Sequence, residues 1–374
     1  MAATSAHALG EAKAFARPRG DVLVRAWLIG LALLVVLMVA VGGATRLTGS
    51  GLSITEWRPV TGAIPPLTDQ AWLEAFAKYR QIPQYELLNS GLTLAEFKFI
   101  YWWEWGHRLL GRLIGVVFLL PFLWFLWQSW IKPELRLRLW AIFGLGAFQG
   151  AVGWWMVSSG LADRVSVSQY RLAFHLALAC AIFAMLLWTA QRLKPREPAD
   201  AEAGPPPIRR SAMLLVVLVL VQIYLGALVA GSRAGLAYNT WPLIDGALVP
   251  ELSSLFFERP WWRNFFENAL MVQFNHRMVA YALWLAAIVH AVCVLRRLDE
   301  PNGMFGAVIL ACAVTVQAVL GIMTLVYHVP LGLALVHQAM AVVTLAIAVV
   351  HAERVSPRRV APVSTEKPAL SSPV

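Results

Sequence analysis

Eight apolar runs, each long enough to cross a membrane, constrain this chain more than any other feature of it. They lie at roughly 24–44, 107–130, 139–158, 172–191, 211–231, 271–295, 304–327 and 330–351. A helix of about 20 residues spans the roughly 30 Å of a hydrocarbon core. Backbone N–H and C=O groups in hydrocarbon must be satisfied within the segment, so the fold class is an all-α integral membrane protein with eight transmembrane helices. Composition agrees: 59% of residues are hydrophobic and 14% charged, whereas roughly a quarter of a soluble globule is charged.

The formal net charge of +10 would suit nucleic acid, but the basic residues sit mostly in short connections and read as topology signals, so no nucleic-acid partner is expected. Lys132, Arg136, Arg138, Arg192, Lys194, Arg209, Arg210, Arg296, Arg297, Arg354 and Arg358 follow runs two, four, six and eight or precede run five. By the positive-inside rule both termini are cytoplasmic. The long segments 45–100 and 232–270 then face outward, and their Trp, Pro and Gly content predicts folded structure over the membrane surface. Residues 1–21 read as a cytoplasmic tail of bacterial rather than transit-peptide type, since they contain Glu11 and Asp21 and few hydroxyls. The Pro-rich stretch within 195–210 is a linker, dividing a four-helix half at 22–194 from a second at 211–352, and 353–374 is a second cytoplasmic tail. Cys180, Cys293 and Cys312 all fall inside apolar runs and form no disulfide or thiolate-metal motif.

The halves are internal repeats. Gly51-Leu52, Trp57, Gly62-Ala63 and Pro66 recur 184 residues later as Gly235-Leu236, Trp241, Gly246-Ala247 and Pro250, without a gap. Glu104-Trp-Gly-His107-Arg108 corresponds to Gln273-Phe-Asn-His276-Arg277, with Gly111 and Ala280 each four residues after the histidine. Gln149 and Gly153 match Gln317 and Gly321, and His175 matches His337. An even number of spans per half makes these parallel repeats.

Four histidines in that pattern carry the chemistry. His107, His175, His276 and His337 fall towards the outer ends of runs two, four, six and eight, two per half on different helices. Two imidazoles on facing helices can clamp one planar metal macrocycle, so the expectation is one bis-histidine haem pocket per half. Small Gly111 and Ala280 leave room for a ring, and Arg108 and Arg277 could meet its propionates. The competing role for any one intramembrane histidine is packing or proton relay. That is the reading for His290, about 21 Å deeper than His276, and for His351, while His7 lies in the tail. His328, at the outer end of run seven, is an alternative to His337, but run three has Ser159 or Gly160 near the matching place, which favours His337. Gln149, Gln222 and Gln317 each precede a glycine by four residues; helix packing is the plainer role and pocket lining the alternative. The tryptophans form an interfacial belt, and Pro121 predicts a kink.

Glu104 is the position the repeat does not reproduce, since its counterpart is Gln273. A carboxylate near a haem edge could act as a general base or stabilise a developing positive charge, which makes the first pocket the active one and the second a holder of a retained cofactor. The alternative for Glu104 is a salt bridge to Arg108 or Arg112.

At these residues the sequence resembles haem A synthase, the membrane enzyme family that converts haem O to haem A. The resemblance covers about residues 22–352 and is carried by residues 43–53 (Gly-Ala-Thr-Arg-Leu-Thr-Gly-Ser-Gly-Leu-Ser), Glu104 to Arg108, residues 169–175 (Gln-Tyr-Arg-Leu-Ala-Phe-His), Asn275-His276-Arg277 and Leu335-Val336-His337-Gln338. It implies oxidation of the porphyrin C8 methyl to a formyl group, with haem O as substrate held by His107 and His175, Glu104 as catalytic acid, and haem b as cofactor ligated by His276 and His337. It further implies a bacterial inner membrane location with pockets towards the periplasm, lipid surroundings, and a haem O synthase and a second copy of the chain as candidate partners. Some members carry a cysteine pair in the outer loops; this chain has none there, so no thiol relay operates. The rival reading is a di-haem b-type electron carrier. Such a carrier stacks its haems across the membrane, whereas all four histidines here lie on one side, and the Glu104/Gln273 difference favours an enzyme. A transporter would show broken helices and midplane polar residues, and neither is evident.

Overall fold

Each apolar run is a helix, and several begin well before the hydrophobic stretch does. The computed structural model describes residues 2–194 and 204–358, with side chains described from Gly20 onward. Among these the eight candidate spans are Gly20–Leu47, Leu94–Trp127, Pro133–Ser158, Gln169–Arg192, Pro206–Gly231, Ala269–Arg297, Pro301–Val326 and Leu331–Arg354, here numbered one to eight. No strand occurs among the described residues; an isolated bridge joins Ile244 and Ala247. The chain is a multi-pass membrane protein.

Span two departs most from the hydropathy expectation, starting at Leu94 rather than near 107. Its first turn is fixed by a capping box: Thr93 Oγ1 accepts from the Glu96 N–H and the Glu96 carboxylate accepts from the Thr93 N–H. The following turns carry Glu96, Lys98 and Glu104, which hydropathy rejects, but Phe97, Ile100 and Tyr101 on the same stretch are buried against Trp72, Tyr79 and Ile82 of the outer segment. Tertiary burial thus extends the helix by about 20 Å (13 residues at 1.5 Å each), and Glu104 and His107 sit inside a long helix, not at its mouth. The helix continues through Pro121. At the other starts, Asn268 caps span six by accepting from the Leu270 and Met271 N–H groups, and Glu300 caps span seven.

The outer segments are folded, as expected. The first contains helices Asp69–Tyr79 and Pro83–Leu88, the second the short helices Leu252–Leu255 and Asn264–Glu267. At the N-terminus the helix of span one already begins at Ala2, in a segment rich in alanine. The linker residues 195–203 and the tail from 359 lie outside the described residues.

Within the membrane, spans one to four contact one another in a ring, one against two, two against three, three against four and four against one, and spans five to eight do the same. The two rings meet through spans one, four, five and eight. A single apolar cluster runs through all eight, including Leu31, Phe122, Leu139, Leu186, Leu215, Leu283, Leu310 and Leu345, each at most 5% exposed. Polar contacts gather towards the two ends of the spans, and the inner ends carry ion pairs such as Arg192–Glu353 and Lys132–Asp21.

Candidate functional site

Each of the four histidines lies against a glycine of the preceding span. A Cβ at Gly42 would stand 3.0 Å from His107 Nε2, and a Cβ at Gly153, Gly226 or Gly321 would stand 3.1, 3.1 and 2.9 Å from Cε1 of His175, His276 and His337. A methyl group there would press on each ring, so glycine lets each ring lie close along the neighbouring helix without displacement. His175 lies within electrostatic reach of His107, and His276 of His337. His107 and His175 belong to spans two and four, His276 and His337 to spans six and eight.

The three glutamines are part of the same contacts. Gln149 Nε2 donates to the His175 carbonyl at 2.9 Å and lies 3.1 Å from its ring Nδ1. Gln222 stands in the same relation to His276, at 3.0 Å to the carbonyl and 3.0 Å to Nδ1, and Gln317 Nε2 donates to the His337 carbonyl at 3.0 Å. The Oε1 atoms of all three glutamines and Nδ1 of His337 are buried without a partner. These amides contact the histidines, beyond the helix packing that was their plainer reading.

Glu104 is fully engaged. It is 2% exposed; Oε2 accepts from Ser53 Oγ at 2.7 Å and Ile54 N at 2.9 Å, and Oε1 accepts from Arg108 Nε at 3.0 Å and Nη2 at 2.5 Å. The salt bridge to Arg108, the alternative raised for this residue, is present, with the two side chains 3% and 19% exposed. Four accepted hydrogen bonds use the acceptor capacity of a carboxylate, so this group is held as a fixed negative charge. Gln273, its counterpart, accepts from Arg277 Nη2 at 2.6 Å and donates through Nε2 to the Ala234 carbonyl at 2.8 Å. The acid and the amide each match what faces them: two donors in one half, a carbonyl in the other.

Arg108 and Arg277 have partners of their own. Arg108 donates to the carbonyls of Ile54 and Glu56, and Arg112, one turn on, to those of Arg58 and Pro59. Arg277 donates to the carbonyls of Tyr238 and Leu243. These guanidinium groups therefore clamp the outer segments down beside the histidines. The Arg277 Nε–H is buried without an acceptor. Trp154 stands edge-on to Trp57 at 5.3 Å, with the Arg108 guanidinium 5.9 Å from its ring centre.

The remaining histidines sit elsewhere. His328 has φ of 60° and is exposed in the turn between spans seven and eight, whereas His337 is partly buried within span eight. His290 and His351 meet each other at the inner side, Nε2 to Nε2 at 2.8 Å, with Ser211 Oγ 2.7 Å from His290 Nδ1. The three cysteines are unpaired. Sequence reasoning missed Gly42 and Met38 of span one, although the 184-residue register that relates the outer segments also takes Gly42 to Gly226 and Met38 to Gln222.

Comparison with known proteins gives this constellation a context. The family model described as cytochrome oxidase assembly protein (COX15-CtaA) matches residues 25–349. A protein named heme A synthase from Rhodopseudomonas palustris (strain BisB5) is 59% identical over 341 residues, covering 91% of this chain and 93% of that protein. Heme A synthases of Bradyrhizobium sp. (strain ORS 278) and Bradyrhizobium diazoefficiens are 56% and 57% identical, covering 95% and 94% of this chain and 97% and 96% of theirs. The resemblance seen in the sequence motifs thus extends over nearly the whole chain, which belongs to the COX15-CtaA family together with these heme A synthases.

Proposed function

We propose that the chain is a haem A synthase, an oxidoreductase that converts the C8 methyl of haem O to a formyl group. The observation that carries this reading is the pairing of two histidines per ring of spans, each ring lying on a glycine, with a buried carboxylate beside only one of the four. The di-haem carrier gains nothing from that carboxylate, and the relatives give it no support.

The residues fit the groups they would hold. Two imidazoles on facing helices suit the axial positions of one macrocycle, the Nδ1 of His337 is buried without a partner, and the Arg277 Nε–H is a buried donor without an acceptor. His107 and His175 would hold the substrate haem O; His276 and His337 would ligate haem b, which when bound supplies one-electron redox chemistry. Arg108 and Arg277 close the outer segments over the pockets and retain N–H groups for propionates. Glu104, itself 2% exposed, would supply negative charge beside the substrate where positive charge develops. The Gln273 amide supplies none, as suits a retained cofactor. The arginine-rich ends favour cytoplasmic termini, with both pockets towards the periplasmic side of a bacterial inner membrane, and 22–194 and 211–352 would serve as the substrate and cofactor halves. A haem O synthase would supply the substrate, and a second copy of the chain is a candidate partner.

The test is conversion itself. Membranes of a host that makes haem O but lacks haem A are given this chain, and extracted haems are separated by chromatography. Appearance of haem A is expected; haem O alone, with the protein present and folded, would overturn the proposal.

A further inference from the structure

Three of the four histidines are held by a glutamine and the fourth is not. Gln149, Gln222 and Gln317 stand four residues before the glycines that receive His175, His276 and His337. Each donates to the backbone carbonyl of its histidine at 2.9–3.0 Å, and each retains a buried, partnerless Oε1. An imidazole bound through Nε2 presents an Nδ1–H, and metal-bound histidines ordinarily give that hydrogen to a fixed acceptor that sets ring orientation and basicity. The Gln149 and Gln222 amides reach the rings themselves, with Nε2 3.1 and 3.0 Å from Nδ1 of His175 and His276, and Gln317, bonded to the His337 carbonyl, keeps a partnerless Oε1 while His337 keeps a partnerless Nδ1.

The corresponding residue before Gly42 is Met38. A Cβ at Gly111 would lie 3.5 Å from Met38 Cε, so the thioether fills space one turn along span two from His107. It offers no N–H and only a weak acceptor, and the His107 ring has no hydrogen bond among the described residues. Met38 and Gln222 occupy the same place 184 residues apart, as do Gly42 and Gly226. Both departures from the repeat, Glu104 for Gln273 and Met38 for Gln222, therefore fall at His107.

Building on the haem A synthase reading, we propose that Gln149, Gln222 and Gln317 are positioning residues that lock three axial histidines, while Met38 leaves His107 as the releasable ligand of the substrate pocket. A substrate must enter and its product leave, so one weakly held ligand suits the first pocket; a retained cofactor is served by two locked ones. His175 stays as the fixed side about which exchange occurs.

The experiment exchanges the two residues. Purified protein loaded with haem O and haem b is reduced and mixed with saturating carbon monoxide, which binds a six-coordinate haem only as fast as an axial histidine departs. Wild type should show one fast-reacting and one slow-reacting haem. Met38→Gln should slow the fast phase about five-fold, the effect of one typical added hydrogen bond, and Gln222→Met should speed the slow phase by a similar factor. Met38→Leu, which adds no amide, should keep the wild-type rate, a result that mere repacking at this site would not give. If Met38→Gln does not fold, Gln222→Met decides alone. Phases unchanged within two-fold in the folded variants, with two haems bound, would overturn the inference and leave the proposed function standing. Failure of the wild type to take up a second haem would overturn the two-pocket reading and this inference with it.

Discussion

Glu104→Gln asks most of the site. The carboxylate now answers two donors on one side, Ser53 Oγ and Ile54 N, and a guanidinium on the other. An amide has one oxygen. Turned towards Arg108, as Gln273 is towards Arg277, it places its NH2 against the Ile54 N–H and strands that donor, at a cost of about 1–3 kcal/mol. Loss of the negative charge also leaves Arg108 without a counter-ion. Breaking a buried pair costs about 3–5 kcal/mol in general, but Arg108 is 19% exposed and keeps two carbonyl partners, which places the total near the low end, about 3 kcal/mol. The expected variant is folded but less stable in denaturant, binds haem in both pockets, and accumulates haem O without haem A. Unfolding curves give the first quantity and haem extraction the second. A stability change under about 0.5 kcal/mol, the size of an ordinary surface substitution, would refute the hydrogen-bond argument, and normal haem A yield would refute the catalytic role.

The reciprocal change Gln273→Glu sets a carboxylate against the Ala234 carbonyl, 2.8 Å from the present amide nitrogen; it should destabilise the fold by about 1–3 kcal/mol, and a neutral or stabilising result in the same unfolding assay would show that partner matching does not set this position. Gly321→Ala adds a methyl 2.9 Å from the His337 ring and should weaken retention of the b-type haem, read by its absorption spectrum; an unchanged spectrum would mean that the close approach is not needed. At the outer surface, the Tyr170 hydroxyl donates to Glu267 at 2.5 Å and Arg263 pairs with it, and the Tyr170 hydrogen bond leads the causes that hold the Glu267 carboxyl below its ordinary value. A lowered folded-state value means that the stabilisation is present above the ordinary carboxylate value and lost as pH falls through the lowered one. The gap in thermal stability between wild type and Glu267→Gln should therefore be open at neutral pH and close in acid, and a gap independent of pH would contradict this.

The membrane-buried part of the fold was legible because hydrocarbon imposes a length and a composition. Helix starts were not, since what begins span two at Leu94 is a cap at Thr93 and the burial of Phe97 and Tyr101 against Trp72 and Tyr79, contacts with residues far away in the sequence. For the site, spacing and register brought out the histidines and the Glu104/Gln273 difference. The other partners of Arg108 stayed hidden, because they are main-chain carbonyls of Ile54 and Glu56, 54 and 52 residues away, and a carbonyl leaves no mark in a sequence. Gly42 and Met38 could have been found: they lie in the register already read from the outer segments, inside a run whose hydrophobicity drew attention away from individual residues.

Haem content of the purified protein tests the central claim most directly. Wild type and His337→Ala are purified in parallel, and their extracted haems are identified and counted per chain. The account predicts haem b together with haem O or haem A in the wild type, and loss of haem b alone in the variant. Haem b as the sole species at two per chain, or a variant that keeps its haem b, would contradict it.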